Sequence, residues 1–444
     1  MTAATSPSAT TEASRSSFRA PSRPARAWAL ALLALGAAGA GIPSPLYPAY
    51  QAQLGFSDVT LTAIYAVYPL VSVPAVYLLG PLGDRLSPRR VMRWGIAIAA
   101  VGSIALALAT STAWLIVGRV AYGIALAVIT GAGVAVATSG ADKVRAGLVS
   151  ATVFILGTGL GPVLGGALTG YGPGPGLLPF GMNLVLLAVV FVGLGSVRGP
   201  GATTDDGTSV DAPDGGPGMT RTVRRALVLA AVNGFLGWAV VGLFLGLISS
   251  VADRFLGLSD PLASGGLTAA LLLCSTLTVP AVIRLGPRRS HLVGLIVLAV
   301  SLVVLAPGVD SLVAVLVACV LAGLANGLLY SGATAVVATM APPHRASGTA
   351  AAVYSAFYLG AGLPTLLVGV LTTVLPLDTA LSATALGALV LTALMIVLST
   401  VDGRRARVRP APVTPPAGGT GSPGRAPSPA SSPRPSATRS SRTC

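Results

Sequence analysis

Long apolar stretches recur along the chain, separated by short polar turns. A helix rises about 1.5 Å per residue, so about 20 mainly apolar residues cross a hydrocarbon core. Twelve stretches meet that length, at residues 27–50, 59–82, 91–110, 113–137, 146–170, 177–198, 223–250, 262–283, 291–308, 311–340, 348–374 and 378–401. The pattern predicts an all-α membrane protein with 12 transmembrane helices in two six-helix bundles, at 27–198 and 223–402. Residues 199–222 read as a polar linker between them, with Asp205, Asp206, Asp211 and Asp214 among Gly, Pro and Thr. Residues 1–26 and 403–444 are rich in Ser, Pro and Arg and lack apolar periodicity, so both are expected to be disordered tails.

Composition agrees with the pattern. Hydrophobic residues make up 53% of the 444-residue chain and charged residues 9%, where a soluble domain carries roughly a quarter charged. The lipid bilayer is therefore the main partner. The net charge of +15 is no nucleic-acid footprint, because 12 of the 28 basic residues lie in the tails and most others in short loops. Loops after even-numbered spans carry Arg85, Arg89, Arg90 and Arg93; Lys143 and Arg145; Arg198, Arg221, Arg224 and Arg225; Arg284, Arg288 and Arg289; and Arg345. Loops after odd-numbered spans carry only Arg254. Positive loops stay on the cytoplasmic side, so both termini are expected there, in a multi-pass protein of the cell membrane. Cys274, Cys319 and Cys444 form no disulfide framework.

The two halves repeat. Arg85-Leu86-Ser87-Pro88-Arg89-Arg90 returns as Arg284-Leu285-Gly286-Pro287-Arg288-Arg289, and Gly123 and Arg145 return 200 residues later as Gly323 and Arg345. Paired six-helix repeats that rock about a central site are a transporter signature.

Several residues stand out. In span 5, Gly157, Gly161, Pro162, Gly165 and Gly166 leave a smooth face for close helix packing, and Pro162 is expected to bend the helix. Arg119 is the one basic residue predicted within the middle of a span, a costly and therefore functional position. In span 1, Pro43, Pro45 and Pro48 break the helix beside Tyr47. The polar residues left for a central pocket are few, chiefly Asn233, Trp238, Asn326 and Tyr330, with Tyr65, Tyr68, Tyr354 and Tyr358. Asp84 is the single acidic residue near a predicted span interior; Asp58, Asp253, Asp260, Asp310 and Asp378 fall in loops or at span ends. His291 and His344 are expected in the arginine-rich loops.

These motifs resemble the major facilitator superfamily, particularly its twelve-span drug-exporter branch. Gly80 to Arg90 is similar to the family's G-x-L-x-D-R-x-G-R-R loop, with Ser87 and Pro88 departing from it. Leu115, Arg119, Tyr122 and Gly123 resemble its L-x-x-x-R-x-x-Q-G, with Tyr122 for Gln. Span 5 matches the exporter-associated G-x-x-x-G-P-x-x-G-G at every specified position. The resemblance implies a conformational latch at Gly80, Asp84, Arg85, Arg89 and Arg90. It also implies either a pairing of Arg119 with the region of Asp84 or a part for Arg119 in proton-linked switching. From span 1, Tyr47 joins Asn233, Trp238, Asn326 and Tyr330 as a candidate for the cavity.

No metalloprotease helix, phosphate-binding loop or catalytic pair occurs, so the expectation is a carrier and not an enzyme or an ATP-driven pump. No cofactor, metal, catalytic residue or nucleic acid is called for, and a monomer is expected. The reading favours proton-linked efflux of small amphipathic compounds. Uptake or facilitated movement of a metabolite, and a non-transporting sensor or scaffold, stand as alternatives.

Overall fold

The computed structural model describes residues 23–138, 143–169, 171, 174–196, 219–305, 310–341 and 346–408, without the side chains of 80–85, 135, 138, 143, 144, 196, 346, 347 and 402–408. The rest of the expected tails and linker lies outside the described residues. The elements are α1 (Arg23–Gly41), a 3₁₀ turn (Ser44–Leu46), α2 (Tyr47–Leu54), α3 (Asp58–Arg85), α4 (Pro88–Ala107), α5 (Thr112–Thr138), α6 (Lys143–Leu168), α7 (Leu177–Ser196), α8 (Arg221–Phe255), α9 (Pro261–Thr276), α10 (Val279–Leu305), α11 (Leu312–Met340), α12 (Ala346–Leu371) and α13 (Leu377–Val408). Among the described residues there is no strand.

Eleven of these helical segments are long and apolar enough to cross a membrane, with α1 to α2 taken together as the first, Arg23–Leu54. The eighth expected span is the exception. Its helix α9 has 16 residues, then a turn at Leu277–Thr278, and the chain re-enters helix at Val279. That second piece ends at Gly286, whose φ of 74° turns the chain sharply within α10. Spans 8 and 9 are thus joined by a single left-handed glycine, a conformation that glycine adopts without steric cost. Pro287 follows, where its fixed φ suits a helix start. Ser87 and Pro88 make the equivalent corner between α3 and α4. One expectation is corrected here: His291 is no loop residue. It lies in α10, 6% exposed, against Gly332 of α11, because the next helix begins four residues earlier than its apolar run.

The repeat reappears in hydrogen bonds. Ser72 Oγ donates to the carbonyl of Gly123 at 2.9 Å, and Ser275 Oγ donates to that of Gly323 at 2.9 Å. Each serine ties the second span of its half to the fourth. Such bonds within hydrocarbon contribute about 0.6–2 kcal/mol each. They also need bare glycines, since a Cβ at Gly123 or Gly323 would collide with the carbonyl of Tyr68 or Leu271.

Helix α6 has two glycine faces. Gly157, Gly161 and Gly165, four residues apart, lie against the carbonyls of Ala34, Ala38 and Ile42. Both helices step by the same four residues, so one turn of α6 meets one turn of α1. The other face crosses to the second half: Gly159 meets Leu272, and Gly166 meets Pro261 and Leu262, all on α9. The expected interruption at Pro162 takes a particular form. α6 is helical through it. Proline leaves the Thr158 carbonyl without its intrahelical donor, and Gly41 of α1 lies beside that carbonyl, where a side chain would clash.

The second half repeats this arrangement at an offset of 203 residues, with Gly360, Gly362 and Gly369 in place of Gly157, Gly159 and Gly166. Gly360 lies on Phe235 of α8, whereas Gly362 and Gly369 meet Leu70 and Thr62 of α3. Each half therefore contributes one glycine-faced helix to the other half's second span.

A bulky residue in the seam should be costly. Gly157→Leu is expected to lower the melting temperature of the purified protein by several degrees, since overpacking costs about 1–3 kcal/mol or more. Gly181→Leu, where a Cβ meets nothing within 4 Å, should not. Equal melting of the two variants would refute the seam.

Candidate functional site: a central cavity and a buried arginine

Between the halves lies a cavity of about 440 Å³. Its wall takes Ala37 and Ala40 from α1, Tyr68 from α3, Phe154 and Thr158 from α6, Trp238 from α8, Tyr330 and Thr334 from α11, and Tyr354, Phe357 and Tyr358 from α12. It extends toward the arginine-rich end, where Leu79, Pro88, Val91, Gly147 and Ala350 line it.

The opposite end is closed by contacts between the halves. Arg254 at the end of α8 binds the Asp58 carboxylate at the start of α3 through two bonds of 2.7 Å. Gln51 Nε2 donates to the same carboxylate at 2.9 Å, and Ser249 Oγ donates to the Ser44 carbonyl at 2.9 Å. The α6–α9 and α12–α3 glycine contacts lie on the same side of the cavity.

The cavity is mostly apolar and aromatic. Ring centroids follow one another from Phe154 to Trp238 at 6.0 Å, to Tyr330 at 5.6 Å and to Phe357 at 5.3 Å, with Tyr354 5.4 Å beyond. The first step bridges the two halves. Several lining hydroxyls are used up on their own helices: Thr130, Ser150, Thr158 and Thr334 donate to the carbonyls of Leu126, Ala146, Phe154 and Tyr330. Trp238 Nε1 is buried with no partner among the described residues. Among the described residues, none that lines the cavity is charged.

Arg119 lies behind this wall, as deep in its helix as its place within a span predicts. It is 1% exposed. Its guanidinium donates to the Ala40 carbonyl at 2.7 Å and to the Tyr47 hydroxyl. It also sits over the rings of Tyr47, Tyr68 and Tyr65, at 5.4, 5.2 and 6.0 Å from their centroids. Aromatic faces attract a desolvated cation by about 2 kcal/mol. None of these partners is a carboxylate. Tyr68 both faces the guanidinium and lines the cavity, so one ring links the charge to the empty space.

The sequence candidates divide. Trp238 and Tyr330 line the cavity. Tyr47 does not, being held by Arg119. Asn326 is fully buried and donates to Ser275 Oγ at 3.2 Å, a tie between α11 and α9. Asn233 is buried on α8, its Oδ1 without a partner among the described residues. The side chains of Gly80, Asp84 and Arg85 lie outside the described residues. Of the rest of that loop, Arg89 donates to the Gly195 carbonyl at the C-terminal end of α7, where a cation meets the negative end of the helix dipole. Arg90 is exposed. Tyr122, in place of the motif's Gln, bonds Ser103 at 2.6 Å and Asn183 at 2.9 Å, linking α5 to α4 and α7.

Phe154 and Phe357 line the cavity although polarity does not single them out. Phe357 had a usable signal, since Tyr354, Phe357 and Tyr358 fall at i, i+3 and i+4 on one helix face. Phe154 had none beyond lying one turn before Gly157.

A sequence profile of the Major Facilitator Superfamily matches residues 29–283 and 256–438. The chain belongs to the major facilitator superfamily. The fold of this superfamily member is also that of solved relatives. A bacterial homolog of the human lysosomal transporter Spinster, inward-facing and unoccupied, superposes with a TM-score of 0.64 at 15% identity, over 86% of this chain and 96% of that one. The nucleoside transporter NupG, solved as a point mutant, gives a TM-score of 0.62 at 14% identity, over 85% and 99%. No curated protein matches its sequence. This superfamily member is a multi-pass membrane transporter, not an enzyme.

Tyr47→Phe tests the hold on Arg119. Loss of a buried bond to a charge should destabilise by about 1.5–3 kcal/mol in reversible unfolding. Tyr171→Phe, at a residue 79% exposed, should change nothing measurable. Indistinguishable unfolding of the two variants would mean that the Tyr47 hydroxyl does not carry the arginine.

Proposed function

We propose that this transporter exports small amphipathic compounds from the cytoplasm by alternating access, in exchange for protons. The observation that carries the reading is the cavity between the halves, apolar and aromatic, open toward the arginine-rich end and closed at the other. The charge asymmetry of the loops supports a cytoplasmic position for that open end and for both termini, in the cell membrane. The state described is then inward-facing and ready to load cargo from inside. Retention of every specified glycine and proline of the exporter-associated motif favours the outward direction.

Everted membrane vesicles supply the test. A fluorescent amphipathic compound should accumulate in them when an acid-inside pH gradient is imposed, and collapse of the gradient should release it. Failure to move any member of a broad amphipathic panel would exclude export. One observation favours a second reading, a facilitator without ion coupling: no carboxylate lines the cavity among the described residues. Gradient-independent equilibration of the same compound would select it.

The outer closure predicts a further result. Asp58→Asn removes the charge paired with Arg254, so the outward-facing population should rise. In a cysteine-free background, a cysteine introduced at Ser44 should react several-fold faster with an impermeant thiol reagent from outside when Asp58→Asn is present. Unchanged labelling would remove the ion pair from the gate.

A further inference from the structure

Three features of the cavity carry the same sign. Arg119 is a buried cation whose partners among the described residues are a carbonyl, a hydroxyl and three rings, none of them anionic. Its Nε is buried without a partner among the described residues. Trp238, 6% exposed and in the cavity wall, carries an Nε1–H donor that is itself buried and likewise has no partner among the described residues. Among the described residues, no acidic side chain lines the cavity to offset the charge.

An isolated cation in a low-dielectric interior raises the potential around it, and the effect is less screened than at a surface. Tyr68 lies between Arg119 and the cavity, and its ring cannot neutralise a full charge. A ligand cation would enter against this potential. A neutral ligand would leave it unused. A ligand anion gains from it, and its oxygens can accept from Trp238, a donor that cannot act as an acceptor, once the indole turns its buried Nε1–H to the cavity. The aromatic rings meanwhile suit a flat apolar body by edge and face contacts.

We propose that the cargo is an amphipathic organic anion: a planar apolar body bearing one carboxylate or comparable acidic group, held by Trp238 Nε1–H and by the field of Arg119. The inference rests on the carrier reading and narrows its substrate class. Binding selectivity follows from the fixed charge, so it is present before any transport step.

Calorimetric titration of the purified full-length protein tests the proposal with three probes of one shape: naphthalene-2-carboxylate, naphthalene-2-carboxamide and 2-naphthylmethylammonium. The carboxylate should bind at least fivefold more tightly than the carboxamide, and the ammonium most weakly. Arg119→Gln should bring the carboxylate-to-carboxamide ratio below twofold, whereas Arg119→Lys should keep the order. If Arg119→Gln does not fold, Trp238→Phe still reads the donor and should lower the same ratio. Carboxamide or ammonium binding as tight as carboxylate, or no carboxylate binding at millimolar concentration, overturns the proposal. The vesicle assay separates the two readings. Selective carboxylate binding without gradient-driven movement would sink export and leave the ligand class standing. Gradient-driven movement of neutral or cationic probes without carboxylate preference would do the reverse.

Discussion

Close backbone approach along α6 is the constraint on which the rest depends. Within lipid, helices gain little from hydrophobic exclusion, so association rests on contact area and polar ties. Gly157, Gly161 and Gly165 let α6 lie directly on the carbonyls of α1. That contact fixes where Ala37, Ala40, Phe154 and Thr158 meet at the cavity wall. It also places Ala40, whose carbonyl takes the Arg119 bond. The second face of the same helix meets α9, so one ten-residue run holds its own half together and closes that half against the other. The two faces have different demands. The α1 face can stay packed through a transport cycle, whereas the α9 face has to part for the closed end to open.

Arg119 is the second constraint and comes from the same region. An unpaired arginine within a membrane costs several kcal/mol, and few arrangements offset that. Here the offset is spread over a carbonyl, a phenol and three ring faces. Its counterpart in the repeat, Cys319, makes a different cross-helix contact, a weak thiol donor to the Leu267 carbonyl of α9, 3.1 Å away. The halves thus share a scaffold and differ in charge. Among the described residues, the buried cation beside the cavity comes from the first half alone.

Much of the fold was legible because the membrane enforces it. Span count, repeat and loop-charge asymmetry follow from apolar runs and basic turns, which need no tertiary information. The break at Pro43 to Pro48 was readable for the same local reason. Corners and depth were not. Span 9 starts at Pro287, ahead of its apolar run, because Gly286 turns the chain in one residue, and this buries His291. Arg119 stands out as a charge within a span, but the tyrosines of α2 and α3 that wrap it come from distant positions. For the site, polarity was a poor guide. Asn326 and Tyr47 are tied to neighbours, while Phe154 and Phe357, which carry no polar atom, help form the wall. A side chain's partners decide whether it can face a ligand, and partners are set by packing.

A carrier must keep its closures weak. Two states interconvert usefully only when they differ by a few kcal/mol, so that cargo binding can shift the balance. The closure at the Asp58–Arg254 end fits that requirement by construction. The Asp58–Arg254 pair is partly exposed, with side chains 23% and 40% accessible, and such pairs contribute about 1 kcal/mol or less. Ser249 adds one bond to a carbonyl, and the glycines add dispersion without immobilising any side chain. No single contact dominates, and all lie on the same side of the cavity. An anion placed against Trp238 and in the field of Arg119 would act on the other side of the α1–α6 contact from that closure. Cargo charge and gate would then be joined through Ala40 and Tyr47, which sit on the two helical pieces of the first span and hold the same guanidinium. The break between those pieces, at Pro43 to Leu46, is where the Ser44 carbonyl receives the gate's serine. The broken first span therefore gives a direct physical route between the buried charge and the closed end.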